Sequence, residues 1–403
     1  MNILVVSQYY YPEPFRINEI CEELVKRGHK VTVLTGNPNY PDGEIYNGYD
    51  NIDIKEVIKG VKVYRCKCRP RHKGALNLAK NYIDFVIHAN RKIKKLDEEF
   101  DCIYIYQLSP ITSCFPAIVY KTKKNIPIFL YCLDIWPESI KGTFLEKQPF
   151  FLLIKIISKY IYKTADKICV STPSFIDYLS ILCKKNNLDI QYIPQHANDI
   201  LEIVNRLHKK DEKKEILNFL FAGNIGEVQN IEEIIYAISK VKNKKNMRFH
   251  IVGTGSCFEK CIQLTEKLGL KDIIIFHGRY PKEEMPKFYA IADVCVVSLK
   301  DVGIVGNTIP GKVQEYMSAG KCILAYTNGD TQYIINDAKC GVCVPAHDIN
   351  KLTVEIEKMI NAKEKIVNFG LNSRLYYLRH FTLTQHIKNL EGQLKMLIDR
   401  YKN

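Results

Sequence analysis

The stretch at 308–316 reads TIPGKVQEY, and Gly320 follows after one further helical turn. A proline suits the first turn of a helix, because its missing N–H would have no partner there, and a glycine is typical of a helix end. The N–H groups of such a first turn attract anions, and Lys312 adds a positive charge. Glu315 lies three residues later on the same helix face. The stretch therefore predicts a site where Lys312 neutralises a phosphate and Glu315 accepts hydrogen bonds from sugar hydroxyls, although an ordinary helix start with a surface Lys–Glu pair fits it too.

Short apolar runs alternate with helical patterns along the whole chain, and the cycle restarts after a polar segment that runs through 209–214. Strands of this kind between helices predict parallel sheets covered on both faces. Two such units place ligands at the carboxyl ends of their strands. The predicted strands are 3–6, 30–35, 102–106, 128–132 and 167–171, then 217–222, 248–252, 273–277, 294–298 and 322–326. The predicted helices of the first unit are 17–27, 76–96, 109–123 and 149–164, and the last stretch, 371–402, is also helical.

Composition limits the class of protein. The chain has 403 residues, of which 46% are apolar and 25% charged, so two globular domains are expected. No apolar run is long enough to span a membrane, and the first residues lack the basic region of a signal peptide, so we expect a cytoplasmic protein. The 14 cysteines are expected to be reduced core residues. Cys340 and Cys343 have zinc spacing without a second pair of ligands, so no metal site is predicted.

The segment 55–73 holds a local excess of positive charge, and the whole chain carries a net charge of +14. Eight lysines and arginines in this segment face a single acidic residue, Glu56. Such a surface attracts phosphates of lipid headgroups, nucleic acid or a pyrophosphate-linked substrate. A generally lysine-rich composition explains the same excess equally well. Nucleic acid ranks last, because Tyr64 is the only interleaved aromatic residue.

The segment 149–164 reads PFFLLIKIISKYIYKT, with Lys155, Lys159 and Lys163 at intervals of four. A helix lying in a membrane interface has this pattern. A core helix with one solvated face has it too, and we favour the core helix.

Loops after predicted strands are the expected places for chemistry. The glycines at 223–226 allow a backbone to approach a phosphate, and the loop at 277–280 is suited to reading a base edge. The G-x-G at 253–255 lacks the third glycine of a dinucleotide fingerprint, so NAD binding is not expected. In the first unit, Asp134 falls just past a buried strand, where a carboxylate needs a partner or a task. The chain has no Asp-x-Asp, no P-loop and no G-x-S-x-G sequence.

Six segments, in their order along the chain, resemble glycosyltransferase family 4, and most closely the bacterial fucosamine transferases of O-antigen and capsule assembly. The segments are SQYYYPE at 7–13, GHKV at 28–31, TGNPNYP at 35–41, DIWPES at 134–139, GNIG at 223–226 and IPGKVQEY at 309–316. The resemblance implies a GT-B fold, with two doubly wound, Rossmann-like α/β domains facing a cleft. It places an acceptor-side domain at 1–198, a nucleotide-sugar domain at 199–370, and a C-terminal helical segment at 371–403 that returns to the N-terminal domain.

The resemblance also implies roles for individual residues, with Asp134, Lys312 and Glu315 as the catalytic set. On the donor side, Glu315 would hold the ribose hydroxyls, and Lys312 and the backbone of the 223–226 loop would bind the diphosphate. Arg279 and Tyr280 would flank the base. The full donor set is Gly223, Asn224, Gly226, Arg279, Tyr280, Asn307, Thr308, Lys312 and Glu315, where Asn307 and Thr308 would lie over the sugar. The acceptor set is Tyr9, Arg16, Arg69, Arg71, His72, Trp136 and Glu138.

The activity implied is retaining transfer of a sugar, such as an N-acetylated deoxy-hexosamine, from a UDP-sugar to a polyprenyl-diphosphate-linked saccharide. No cofactor or metal is expected, and the enzyme would contact the anionic inner leaflet of the plasma membrane peripherally. Three departures from the wider family are Asn307 in place of a glutamate, Gly311 in place of a frequent serine, and tyrosines at 10 and 11 in place of paired glycines. Two alternatives remain open. They are a UDP-sugar epimerase using Asp134, Glu138 and His196, and a non-catalytic phosphate-binding scaffold at the membrane.

Overall fold

The computed structural model describes residues 1–72, 74–141, 143–184, 189–207 and 216–402. Lys73 of the basic segment and the polar segment 209–214 lie outside the described residues. The chain forms two compact units. The first comprises Met1–Pro194 together with the chain from His386 onward, and the second comprises Gln195–Gln385. Each unit has its own parallel sheet, as predicted.

The first unit is built on an eight-stranded sheet in the order β3-β4-β2-β1-β5-β6-β7-β8. Its central strands are apolar at nearly every position, because a parallel sheet is covered by helices on both faces. The strands are β1 (Asn2–Val6), β2 (Lys30–Gly36), β3 (Ile54–Ile58), β4 (Val61–Cys66), β5 (Cys102–Gln107), β6 (Ile128–Cys132), β7 (Lys167–Val170) and β8 (Ile190–Tyr192).

One edge of this sheet departs from the predicted parallel pattern. β3 pairs with β4 in the antiparallel direction. The two strands are joined by Lys59 and Gly60, which both have positive φ values, +48° and +84°. Two such residues make a tight hairpin turn. The prediction missed this hairpin, because Lys55 and Glu56 interrupt the apolar pattern of β3.

The four helices predicted for the first unit are present, with one correction of position and one of burial, whereas the helix Phe175–Cys183 was not predicted. The predicted helix at 109–123 starts with a 3-10 turn, Ile111–Cys114, and continues as an α-helix. The predicted core helix at 149–164 is wrong in its burial, since five of its large apolar side chains are exposed. The helices are α1 (Ile17–Lys26), α2 (Ala75–Lys94), α3 (Phe115–Lys124), α4 (Phe150–Thr164) and α5 (Phe175–Cys183). Within the described ranges, no helix has the length and apolar run needed to cross a bilayer.

The second unit is built on a six-stranded parallel sheet in the order β11-β10-β9-β12-β13-β14. The order reverses beside β9, the first strand of this unit, so loops after β9 and β12 meet at a topological switch point. The strands are β9 (Leu217–Ala222), β10 (Met247–Val252), β11 (Ile274–Gly278), β12 (Val294–Ser298), β13 (Cys322–Tyr326) and β14 (Gly341–Val344). The helices are α6 (Leu201–Leu207), α7 (Ile231–Lys240), α8 (Phe258–Lys267), α9 (Met285–Ile291), α10 (Gly311–Ser318), α11 (Asp330–Asp337), α12 (Ile349–Ile360) and α13 (Lys363–His380).

The C-terminal helical stretch is divided between the two units. α13 packs on α10 and β13 of the second unit, where Gly370 contacts the backbone of Gly320. The last helix, α14 (Leu383–Lys402), belongs to the first unit from His386 onward. The chain therefore changes unit at 194/195 and 385/386, whereas the sequence placed these boundaries at 198/199 and 370/371.

Candidate active site

Lys312 lies in the first turn of α10, directly after the β12–α10 loop. Pro310 precedes the helix, and its carbonyl accepts the N–H of Val313 at 2.9 Å. The ammonium nitrogen of Lys312 is 3.7 Å from the centre of the Phe221 ring at the end of β9. Desolvation lowers the pKa of Lys312 to about 7, although the negative charge of Glu315 opposes the shift. An anion bound at this point would favour the charged ammonium again.

Glu315 follows one turn later and is held by a neighbouring helix. The hydroxyl of Tyr289 in α9 donates a hydrogen bond to a carboxylate oxygen of Glu315 at 3.2 Å. The next residue, Tyr316, is fully buried, and its hydroxyl accepts the N–H of Ala222 at 3.0 Å. These contacts attach α10 to the ends of β9 and α9, so the predicted Lys–Glu pair is fixed relative to the glycine loop. The sequence analysis did not predict a role for Tyr289, because a tyrosine in an apolar helical segment gives no sign that it contacts a residue of another helix.

The glycine loop after β9 packs against the loop after β10 through bare backbone. A Cβ added to Gly253 would lie 1.8 Å from the carbonyl oxygen of Gly223, and one added to Gly255 would lie 2.4 Å from that of Ile225. The φ values of Gly223 and Gly253, +137° and +138°, also favour glycine. A Cβ added to Gly223 would lie 2.9 Å from the ammonium nitrogen of Lys312. The structure thus brings Lys312 onto the predicted phosphate loop.

The N–H groups of this loop are used differently from the prediction. The N–H of Gly223 donates to Val252 O at 2.9 Å. The N–H of Gly226 donates to the side-chain oxygen of Gln229 at 3.1 Å, and the amide of Asn224 reaches the same oxygen at 3.2 Å. In this conformation, Gly223 and Gly226 therefore allow neighbouring atoms to come closer than a side chain would permit, while Lys312 supplies the positive charge.

The predicted base and sugar contacts lie on the next loops of the same unit. Arg279 is exposed directly after β11, and the Tyr280 ring packs edge-on against Phe288 at 4.8 Å. The carbonyl of Asn307 accepts the N–H of Asp330 at 3.1 Å, so the loop before α10 is tied to the start of α11.

The contact between the loop before α10 and the start of α11 requires a glycine at position 329. A Cβ added to Gly329 would lie 2.6 Å from the Cβ of Asn307. The carbonyl of Thr308 accepts the Thr331 hydroxyl at 2.7 Å. Gly329 and α11 were missed by the sequence analysis, although a glycine after a strand was an available signal.

In the first unit, Asp134 has the partner that its position required. One carboxylate oxygen accepts the N–H of Ser109 at 2.8 Å, and the Ser109 hydroxyl also bonds to this carboxylate. The indole N–H of Trp136 donates to the Ser109 hydroxyl oxygen at 3.1 Å. Burial raises the pKa of Asp134 above its ordinary value. Ser109, which the sequence analysis missed, thus links Asp134 to Trp136.

Several predicted acceptor residues form an aromatic cluster with one arginine. The Tyr9 ring stacks on Phe15 at 5.0 Å, and the Arg71 guanidinium lies 5.1 Å from the centre of the Tyr40 ring and 5.9 Å from that of Tyr9. Tyr82 forms a hydrogen bond with Tyr9. Burial raises the pKa of Tyr82, while the positive charge of Arg71 opposes this shift and the negative charge of Asp134 adds to it. Tyr9, Arg71 and Asp134 are therefore brought to one place.

Glu13 organises this cluster, and the sequence analysis gave it no role. Its carboxylate is 1% exposed and accepts N–H groups of Asn39 at 2.9 Å, Tyr40 at 2.8 Å and Tyr10 at 3.2 Å. It thereby joins the loops after β1 and β2. Burial raises the pKa of Glu13 to about 7, although the three N–H groups favour the ionised form. A lone acidic residue between two prolines in an aromatic loop was an available signal.

The other acceptor candidates are more dispersed. Glu138 accepts the Tyr178 hydroxyl at 2.8 Å and pairs with Lys141 at 2.5 Å. Arg16 directly precedes α1. Burial raises the pKa of Tyr106 above its ordinary value, and the positive charge of Arg16 partly opposes this shift. Three further contacts involve residues of the basic segment: the Arg69 N–H donates to Asp84, the Arg71 N–H to Asn39, and His72 meets Glu44 at 2.7 Å.

The basic segment is not one free cationic surface. Arg65 is fully buried and pairs with Glu56. Lys59 pairs with Glu22 at 3.0 Å, and Lys62 with Glu98 at 2.9 Å. Of the three residues named for an epimerase, Asp134 and Glu138 belong to the first unit and His196 to the second.

Comparison with known proteins identifies the class. The family described as "Glycosyl transferases group 1" matches residues 202–376, and the "Glycosyl transferase 4-like domain" matches residues 15–181. The two matches cover most of the chain and correspond to its two sheets. The chain belongs to the glycosyltransferases of the GT-B fold.

Two relatives are named as glycosyltransferases, and two solved structures share the fold. "Probable glycosyltransferase WbjE" of Pseudomonas aeruginosa is 26% identical over 58% of this chain and 61% of its own length. "Putative colanic acid biosynthesis glycosyl transferase WcaI" of Escherichia coli K12 is 22% identical over 79% and 82%. A sucrose-phosphate synthase of Thermosynechococcus elongatus has a TM-score of 0.75 at 18% identity over 99% of both chains. Anabaena Alr3699/HepE in complex with UDP and glucose has a TM-score of 0.69 at 14% identity over 98% of this chain and 100% of its own.

Proposed function

We propose that this glycosyltransferase is a retaining enzyme that transfers a sugar from a UDP-sugar to a polyprenyl-diphosphate-linked saccharide in cell-surface polysaccharide assembly. The observation that carries the proposal is the pair on α10. Lys312 lies over the bare glycine loop, where a diphosphate would neutralise it, and Glu315 lies one turn away, where it would accept the ribose hydroxyls. HepE, of the same fold, was solved with UDP and glucose, which supports UDP as the nucleotide to test.

In the proposed reaction, the bond between the sugar C1 and the β-phosphate oxygen breaks, and C1 forms a bond to an acceptor hydroxyl oxygen on the same face. Lys312 stabilises the charge that develops on the departing diphosphate. The acceptor proton passes to an oxygen of that diphosphate, so UDP leaves and no protein nucleophile is required. Asn307 stands where the wider family has a glutamate, which agrees with a mechanism that uses no carboxylate at that position.

On the acceptor side, the proposed contacts are Arg71 with the acceptor pyrophosphate and Tyr9 with its sugar. An arginine is suited to a diphosphate, because its planar group donates several hydrogen bonds. Asp134 would accept a hydrogen bond from a sugar hydroxyl, since Ser109 and Trp136 hold its carboxylate in place. The name of WcaI, a putative colanic acid biosynthesis glycosyl transferase, supports a role in polysaccharide assembly. N-acetylated deoxy-hexosamines are the first sugars to test, because the resemblance to fucosamine transferases implies them.

The test is a thermal-shift panel with UDP, GDP, ADP, NAD and UDP-sugars, each with and without EDTA. We expect UDP compounds to raise the melting temperature, and EDTA to leave the shift unchanged. Glu315→Ala should abolish the UDP response, whereas Glu364→Ala, at an exposed carboxylate of α13, should retain it. No response to any nucleotide would overturn the donor assignment and favour the scaffold alternative. Isomerisation of a UDP-sugar without an acceptor would instead favour the epimerase.

A further inference from the structure

Tyr289 is a buried tyrosine whose hydroxyl contacts the carboxylate that would hold the donor ribose. Its side chain lies in α9 and is 2% exposed, and its hydroxyl donates a hydrogen bond to Glu315 Oε2 at 3.2 Å. Its ring packs edge-on against that of Tyr316, with the ring centres 5.9 Å apart. The hydroxyl is therefore a fixed donor beside an ionised carboxylate, which can only accept hydrogen bonds.

The contact with Tyr289 selects a direction for the Glu315 carboxylate. A glutamate side chain can take many directions, because three of its bonds rotate. Glu315 is only partly buried, so packing alone does not select one of them. The hydrogen bond from Tyr289 favours the directions in which one carboxylate oxygen faces α9. The helix beneath is also held in place, since the Tyr316 hydroxyl accepts the N–H of Ala222 at 3.0 Å.

The same helix supports the loop that was predicted to flank the base. Phe288, the residue before Tyr289, is 5% exposed, and its ring packs edge-on against those of Tyr280 at 4.8 Å and His277 at 5.0 Å. Consecutive residues of α9 therefore contact the base loop and the ribose carboxylate. This arrangement holds the two parts of a nucleoside site in a set relation, which lowers the cost of ordering them when a nucleoside binds.

A fixed carboxylate distinguishes ribose from deoxyribose better than a mobile one. Ribose presents two neighbouring hydroxyl donors, and a carboxylate has two acceptor oxygens. A mobile carboxylate could turn toward the single 3′-hydroxyl of a deoxyribose and lose little. A carboxylate that is held toward α9 cannot turn in this way, so loss of the 2′-hydroxyl leaves one acceptor position unfilled. Sites built to bond a hydroxyl reject the analogue that lacks it for this reason.

We propose that Tyr289 is a positioning residue that fixes the Glu315 carboxylate for both ribose hydroxyls, and that it thereby restricts the donor site to ribonucleotides. Donors built on 2′-deoxyribose, such as the thymidine diphosphate sugars, are then rejected. This inference rests on the proposed function, because it takes Glu315 as the acceptor of the ribose hydroxyls. It adds the class of nucleotide that the site accepts and the residue that sets this preference.

The test is isothermal titration of the full chain with UDP and with 2′-deoxy-UDP, which differ only in the 2′-hydroxyl. We expect the wild type to bind 2′-deoxy-UDP about 10- to 100-fold more weakly, the range for one hydrogen bond to a charged group. Tyr289→Phe keeps the ring and removes the hydroxyl. It should weaken the binding of UDP about tenfold but that of 2′-deoxy-UDP at most about threefold, so the ratio of the two dissociation constants falls at least about threefold.

Two variants of Glu315 show whether Tyr289 acts through this carboxylate. Glu315→Ala should bind both nucleotides weakly and with similar affinity, and Tyr289→Phe added to it should weaken neither further. Glu315→Asp keeps the negative charge but is one carbon shorter, so its carboxylate withdraws from the Tyr289 hydroxyl. It should show a lowered ratio like that of Tyr289→Phe, and it leaves α9 unchanged.

A matched control is available at Tyr326, at the end of β13 in the same unit. This tyrosine is also buried, and its hydroxyl donates a hydrogen bond to the carboxylate of Glu233 on α7. Tyr326→Phe therefore removes a tyrosine–glutamate hydrogen bond of the same kind at another carboxylate. It should bind the two nucleotides with the wild-type ratio. Melting curves of all variants establish that each is folded.

A wild-type ratio in Tyr289→Phe would overturn the proposal, as would equal binding of UDP and 2′-deoxy-UDP by the wild type. A further loss of affinity when Tyr289→Phe is added to Glu315→Ala would overturn it too, because Tyr289 would then act on the fold and not through the carboxylate. Failure of the proposed function gives a different result. The wild type would then bind neither nucleotide, or Glu315→Ala would bind UDP like the wild type.

Discussion

The ammonium group of Lys312 is packed over an aromatic ring beside a glycine loop, and its pKa of about 7 follows from that burial. Binding of a diphosphate requires the charged form. In the free protein, each pH unit above 7 leaves about tenfold fewer molecules with that charge. We therefore predict that the dissociation constant for UDP rises about tenfold per pH unit above 7, up to the raised pKa of the complex. Isothermal titration between pH 7 and 9 measures this.

Lys312→Arg is the matched control, because arginine stays charged throughout this range. Its affinity for UDP should be nearly independent of pH above 7, where the terminal phosphate of UDP is already ionised. Lys312→Gln should bind UDP weakly at every pH. A wild-type dissociation constant that stays flat from pH 7 to 9 would contradict this account of the site.

Glu13 gives a prediction about stability. Its pKa is raised in the folded protein to about 7, from an ordinary value of about 4.5, so ionisation is disfavoured by folding. Its favourable contribution is complete below about pH 4.5 and is lost as the pH rises through 7. A shift of this size corresponds to about 3 kcal/mol. Glu13→Gln cannot ionise, so the variant should gain about 3 kcal/mol relative to the wild type between pH 4.5 and pH 8.

Chemical denaturation of both proteins across this pH range measures the difference, in which the other titrating groups cancel. Glu13→Ala is the control for the hydrogen bonds. It leaves three buried N–H groups without their acceptor and should cost on the order of 2–4 kcal/mol relative to Glu13→Gln at every pH. Parallel stability curves for the wild type and Glu13→Gln would show that the carboxylate ionises as readily in the folded protein as in the unfolded chain.

At the scale of elements, the apolar strands and most helices could be predicted, because burial on both sides of a parallel sheet leaves an unbroken apolar run. The β3–β4 hairpin could not, since an edge pair alternates polar and apolar residues and β3 carries charges. α4 shows a different limit. Its apolar pattern correctly predicted a helix, but a pattern does not say whether a face meets protein or water.

The residues of the candidate site also differ in whether the sequence could predict them. Lys312, Glu315 and the glycines at 223–226 could be found because each follows a strand and has a residue type suited to phosphate or ribose. Tyr289 and Ser109 could not be found, because they act through contacts between elements far apart in the chain. Glu13 lay within a recognised motif, but its three N–H partners come from two loops that only the sheet brings together.

At the scale of the whole molecule, the final helix belongs to the unit that contains the N-terminus. Ile387, Leu390 and Leu394 of α14 are buried in the first unit. Glu391 accepts hydrogen bonds from Arg27 at 3.0 Å and His29 at 2.7 Å, and so attaches α14 to the segment that follows α1. A substitution near residue 394 should therefore affect residues near the other end of the sequence before it affects the second unit.

Leu394→Ala tests this arrangement. The side chain is fully buried, and its truncation leaves a cavity that costs about 2–5 kcal/mol. Hydrogen exchange should show faster exchange in β1, β2 and α1, while β9 to β14 keep the protection of the wild type. UDP should still protect the glycine loop at 223–226, because that loop belongs to the second unit. Met396→Ala, at a side chain that is 49% exposed, is the matched control and should change neither unit. Faster exchange in β9 and β12 of Leu394→Ala, equal to that in β1, would mean that the two units unfold as one.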